Sequence, residues 1–105
     1  MNQCSTESIS EHLVVRLVGE VDLSWSSQVR TAVLDALAKS SKVAVHLGAV
    51  EYIDSSGIAA LVEGFQNARG KGQRFVLLDV SPAVLAVLKL ARLDKVFSIV
   101  ETLEA

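Results

Sequence analysis

The side chains best able to do chemistry in this chain are few: the run Asp54-Ser55-Ser56-Gly57, a second aspartate at Asp22, two histidines and one cysteine. A serine nucleophile needs an imidazole to take its proton. Both His12 and His46 fall inside stretches that read as strands rather than at strand ends, so Ser55 has no evident base and no catalytic residue is expected. A phosphate-cradling loop needs a longer glycine-containing run closed by lysine and a hydroxyl residue, and Gly70-Lys71-Gly72 is too short and wrongly continued. One cysteine and two histidines without close spacing make no closed zinc site, and Asp22 with Asp54 offer at most a weak oxygen site for magnesium. No cofactor is expected. What remains is a pair of serines between carboxylates, and on physical grounds alone Ser55 and Ser56 read as caps for a helix that starts there.

That helix start is set by a change of period. Residues 43–47 suit a buried strand, whereas after Gly57 the apolar residues Ile58, Leu61, Val62, Phe65 and Ala68 recur at helical spacing. The free N–H groups of such a first turn donate to a capping oxygen and favour an anion. Upstream, residues 12–18 read as a strand stopping at Gly19, with Asp22 just past its end. A helix is expected over 24–39, capped by Ser24, because Val29, Ala32, Val33, Ala36 and Leu37 share one face. Trp25, just inside it, reads either as an exposed aromatic or as part of the helix-on-sheet core. Residues 42–47 resume as a strand with too little polar alternation to face water, as a central strand would have.

Downstream, the second helix runs over 57–69, where Gly70 suits the left-handed position that ends helices. A strand over 74–80 follows, and Ser81-Pro82 then gives a cap and a proline at the first position of a helix over 82–91. Residues 95–100 read as a short last strand, 101–105 as a polar tail or helical turn, and 1–10 as a loose edge strand or tail. Strands alternating with helices at this spacing imply crossover units and an α/β fold: a mixed, largely parallel sheet of four or five strands with about four helices.

Composition narrows the class. A chain of 105 residues is the common size of one compact domain, so residues 1–105 read as a single unit. Half of it is hydrophobic and 21% charged, which argues against disorder. A formal charge of −2 and no local Lys/Arg cluster leave nothing to hold nucleic acid. No apolar run approaches the ~20 residues that span a bilayer, and the first residues lack a basic and apolar signal pattern, so a cytoplasmic protein without direct membrane contact is expected. Cys4 has no internal partner for a disulfide.

The run Asp54-Ser55-Ser56-Gly57 following Val50-Glu51-Tyr52-Ile53, together with Gly19-Glu20-Val21-Asp22, resembles the two motifs of STAS domains, the anti-sigma factor antagonist family, over nearly the whole chain. The resemblance implies a regulatory protein-binding module rather than an enzyme. It places a kinase's target on the serine after the aspartate, here Ser55, with Asp22 and Asp54 at matching positions beside it; Ser56 and Gly57 join that environment, and Trp25, if exposed, is a natural anchor for the partner. The implied partner is an anti-sigma factor, a serine kinase of the histidine-kinase-like ATPase type, captured while Ser55 is unmodified. Its surface extends to the exposed side of the second helix, with Glu63, Gln66 and Asn67. The alternative within the family is an accessory subunit of a phospholipid-transport ABC complex, bound to an ABC ATPase. Two positions depart from the pattern: many members carry aspartate where His46 stands and serine or a similar residue where Gly48 stands.

Overall fold

A computed structural model describes residues 2–103 of the chain. Its elements follow the order β1 (Gln3–Ile9), β2 (His12–Val21), α1 (Ser26–Lys39), β3 (Lys42–Ile53), α2 (Ser55–Gly70), β4 (Arg74–Leu78), α3 (Pro82–Leu90) and β5 (Ser98–Val100). The five strands form one mixed sheet in sequence order, with β1 antiparallel to β2 and every later pair parallel. Each parallel pair is joined through a helix, and because successive right-handed crossovers advance in one direction, all three helices fall on the same face. Among the described residues there are three α-helices rather than about four; residues 91–97, between α3 and β5, are turns and a bend instead of a further helix.

The main core lies between that face and the helices. Val15, Leu17, Val43, Val45, Phe75 and Leu77 of the sheet meet Val29 and Val33 of α1, Leu61 of α2, and Val84 and Leu88 of α3. Leu17, Leu47, Leu61, Leu77 and Leu88 are fully buried, each worth about 1.5–3 kcal/mol relative to exposure. The opposite face carries a smaller cluster, Val14, Ala44, Val76 and Leu78, against which, among the described residues, Val100 and Leu103 pack.

Three differences from the sequence reading bear on the site. First, β3 does not stop at Leu47 but continues to Ile53, because two extra residues are accommodated on it opposite β2: the register shifts between Arg16 and Val18 and again between Gly19 and Glu20. Each bulge moves the inward positions from a spacing of two to one of three, so that Leu47, Val50 and Ile53 all face the core. The positive φ of Gly19, 108°, sits at the second irregularity, inside β2 rather than beyond its end. Second, Gly70 is the last residue of α2, and the left-handed position falls on Gly72, with φ of 66°. Third, β1 is a regular seven-residue edge strand, closed onto β2 by a two-residue turn in which Ser10 and Glu11 both have positive φ, 50° and 68°. At the other end of the chain, residues 104–105 of the expected polar tail lie outside the described residues.

Candidate phosphoacceptor site

The site sits where β2 and β3 end side by side. Val21 pairs with Ile53, and the N–H of Asp54 donates to the carbonyl of Val21 at 3.1 Å, so Asp22 and Asp54 leave adjacent strands together. The structure thus brings the two motifs into one place, as the resemblance implied.

Each aspartate organises the turn that follows it. Asp22 Oδ1 accepts from the Ser24 N–H at 3.0 Å and from the Ser24 hydroxyl at 2.6 Å, while the Asp22 carbonyl accepts from the N–H groups of Trp25 and Ser26. Ser24 is therefore held by Asp22 and does not cap α1, which begins two residues later than its sequence suggests and has no side-chain cap. Asp54 sits in extended backbone, φ −109° and ψ −173°, the conformation of a cap residue. Its Oδ1 accepts from Ser56 N–H at 2.9 Å, Gly57 N–H at 3.2 Å and the Ser56 hydroxyl at 2.6 Å. The expected serine caps are thus replaced by the carboxylate before them, which is one residue better placed to reach the second and third N–H groups of the helix. The Ser56 hydroxyl, with lesser help from the N–H groups of Gly57, Ser56 and Leu23, holds the Asp54 carboxyl below its ordinary range.

The two serines are consequently unequal. Ser56 is half-buried with its hydroxyl committed to Asp54, whereas Ser55, the first residue of α2, is exposed and its hydroxyl makes no hydrogen bond among the described residues. Gly57 is fixed by packing: a Cβ there would lie 2.6 Å from Ile53 Cγ1, 2.7 Å from Val21 Cγ1 and 2.9 Å from the Val21 carbonyl. Only glycine lets the first turn of α2 press onto the ends of β2 and β3, and that contact sets where Ser55 emerges.

Trp25 is half-buried and packs on the helix-side core, which decides between its two readings in favour of a core wall. The apolar surface around the site comes instead from Leu23, 77% exposed in the turn after Asp22, and Tyr52, 50% exposed near the end of β3 before Asp54. Leu23 was not named from the sequence, and Tyr52 only as part of the run leading into Asp54. The available signal was a leucine inside a polar turn and a tyrosine out of phase with the buried Ile53. Glu20, paired with Tyr52, and the bulge residue Glu51 are exposed at the same strand ends, so the unmodified site already carries acidic groups.

From this corner a surface runs between α1 and α2. Ser26, Ser27, Arg30, Ser56, Ala59 and Glu63 line an open cleft of about 180 Å³. Arg30 and Glu63 bridge it at 2.7 Å, each favouring the charged form of the other. Gln66 and Asn67 are exposed one turn further along α2.

His46 lies elsewhere, on the helix-free face. Its Nε2 stands 3.4 Å from Asp79 Oδ2 and its side chain is only 14% exposed. Burial, then the neighbouring Arg16, lower its pKa, against the opposing pull of Asp79 and Glu7. Gly48 explains itself in the same place, since a Cβ would fall 2.5 Å from Asp79 Oδ2 and 3.0 Å from both the Asp79 carbonyl and His46 Cε1. The two departures from the family pattern are thus one local arrangement: glycine at 48 leaves room for Asp79 to reach His46. His12 is buried on the same face, its Nδ1 2.9 Å from the Ser10 carbonyl. Among the described residues no group of three or more His, Cys, Asp or Glu is placed to hold a metal ion, and no helix is long and apolar enough to cross a membrane.

The family model described as "Mlab, STAS domain" matches residues 4–101. An anti-sigma F factor antagonist from Paenibacillus polymyxa is 29% identical over 89 residues, covering 83% of this chain and 76% of that protein. An anti-sigma factor antagonist from Mycobacterium paratuberculosis has a crystal structure that superposes with a TM-score of 0.87 at 26% identity, over 98% of this chain and 88% of the other. The Bacillus cell fate determinant SpoIIAA in its phosphorylated form shares the fold, with a TM-score of 0.73 at 22% identity over 95% and 92% of the two chains.

Proposed function

The chain belongs to the STAS domain family, and from that premise we propose that it is a regulatory binding module of the anti-sigma factor antagonist kind, switched by phosphate on Ser55. The observation that carries the reading is the inequality of the serines: Ser55 offers a free, exposed hydroxyl at the first position of α2, and Ser56 does not. The names of similar proteins support it, two being anti-sigma factor antagonists and a third, of the same fold, existing in a phosphorylated form. Both histidines lie on the far face of the sheet from Ser55, which supports reading the module as one that binds.

Unmodified, the protein captures an anti-sigma factor kinase of the histidine-kinase-like ATPase type in the cytoplasm, through Leu23, Tyr52, Ser55 and the α1–α2 cleft. Phosphorylation adds about −1.5 to −2 charges and three acceptor oxygens. The N-terminus of α2 favours that charge, while Asp22, Asp54, Glu20 and Glu51 oppose it. The added charge and bulk project from an exposed position into the partner, so release needs no change of fold. Incubation with the cognate kinase and ATP, followed by phosphopeptide mapping, tests the assignment: phosphate on Ser55 is expected, and phosphate confined to Ser56 would sink it.

The second reading, an accessory subunit of a phospholipid-transport ABC complex, draws on the matching family model being described by Mlab rather than by an antagonist. An ABC ATPase and permease encoded beside this chain would favour it, and a histidine-kinase-like ATPase there would favour the first.

A further inference from the structure

The outer edge of β1 is held rigid and left bare. All seven residues from Gln3 to Ile9 are exposed, and β1 pairs with β2 alone, in unbroken register. Both of its ends are pinned. At one, the Asn2 side chain exchanges two hydrogen bonds of 2.9 Å with the backbone of Glu20; at the other, the tight turn at Ser10 and Glu11 closes onto β2. Free sheet edges are ordinarily protected by lysine, proline, a bulge or a covering element. Among the described residues this edge has no bulge and no covering element, Gln3-Cys4-Ser5-Thr6-Glu7-Ser8-Ile9 contains no proline and no lysine, and its single charge, Glu7, is neutralised by a half-exposed ion pair with Arg16 of β2 at 2.6 Å.

We propose that this edge pairs antiparallel with the same edge of a second copy of the chain, centred on Thr6, to make one continuous ten-stranded sheet. Full overlap of the seven residues sets Thr6 opposite Thr6, Cys4 opposite Ser8, Ser5 opposite Glu7 and Gln3 opposite Ile9. In that register no like charges meet, the threonines form a favourable cross-strand pair, and the Ser5 hydroxyl faces a carboxylate. The segment is thus complementary to itself, which is what a two-fold interface requires. The two-fold axis stands perpendicular to the sheet, so the helices of both copies share one side. Because the two copies run in opposite directions, their Ser55 corners lie at opposite ends of the dimer and neither is covered.

Sedimentation equilibrium on the whole protein, from micromolar to millimolar, tests this together with Thr6→Lys, which sets two ammonium groups face to face only in the dimer. The expected result is a species of twice the 11.2 kDa chain mass that returns to the single-chain mass in Thr6→Lys, with an unchanged circular dichroism spectrum. Thr6→Cys in a Cys4→Ser background should link two copies through a short bis-maleimide, whereas Ile9→Cys in the same background, with its sulfurs roughly 20 Å apart in this register, should not. A wild-type chain that stays at the single mass throughout, a dimer that survives Thr6→Lys, or linking at Ile9→Cys but not Thr6→Cys would each overturn the proposal.

Discussion

At the scale of single residues, the site depends on how one carboxylate divides two serines. Asp54 takes the hydroxyl of Ser56 and two N–H groups of the first turn, and so leaves Ser55 unengaged. Its pKa is depressed in the folded chain, so its contribution is present above the unfolded value of 3.8 and is lost as pH falls through the lower, folded one. Asparagine is also a good cap but does not titrate. Asp54→Asn should therefore keep most of the melting temperature at neutral pH and lose less of it than wild type in strong acid, whereas Asp54→Ala should melt lower at every pH. Thermal unfolding of the three proteins from neutrality to about pH 2 checks both expectations; parallel curves for wild type and Asp54→Asn would contradict a cap whose ionised form adds stability.

At the scale of elements, α2 must lie hard against the ends of β2 and β3 for Ser55 to emerge where it does. Gly57 permits that contact, and Gly57→Ala meets Ile53, Val21 and the Val21 carbonyl inside 3.0 Å. Overpacking of this kind costs about 1–3 kcal/mol, and the relief available is a shift of the first turn of α2. Urea unfolding should show the loss, and phosphorylation at Ser55 should slow with it; an unchanged midpoint would mean that the helix start is not so constrained. The alternation of strands and helices, the α3 cap at Ser81 and the stripe on α1 were legible because each is a local pattern. The length of β3 was not, since two bulges break its alternation where the residues still point inward. The caps of α1 and α2 were misassigned for a related reason: at Asp22-Leu23-Ser24 and Asp54-Ser55-Ser56 several oxygens compete for the same N–H groups, and only backbone geometry decides among them. The exposure of Leu23 and Tyr52 was not legible because an apolar residue beside a core pattern carries no local sign that it faces solvent.

At the scale of the whole molecule, the two faces of the sheet do different things. The helix side carries the core and the corner where Ser55 emerges, and the other side carries the row Glu7, Arg16, His46 and Asp79 over a small apolar cluster. On that side His46 is the titratable group that burial shifts. Its pKa is lowered below 6.5, so the unfolded chain binds the proton more readily, and stability present above that value declines as pH falls through the folded pKa. Denaturant unfolding on the two sides of that window should show wild type weakening in acid and His46→Gln flattening the change; equal slopes would assign it to other groups. The central claim is tested most directly by calorimetric titration of the kinase partner with unmodified protein, Ser55→Ala, Ser55→Asp and Ser55-phosphorylated protein. Binding should be retained in Ser55→Ala, be weakened in Ser55→Asp, whose charge is about half that of phosphate, and be lost on phosphorylation. Equal affinity for the phosphorylated and unmodified forms would contradict the switch.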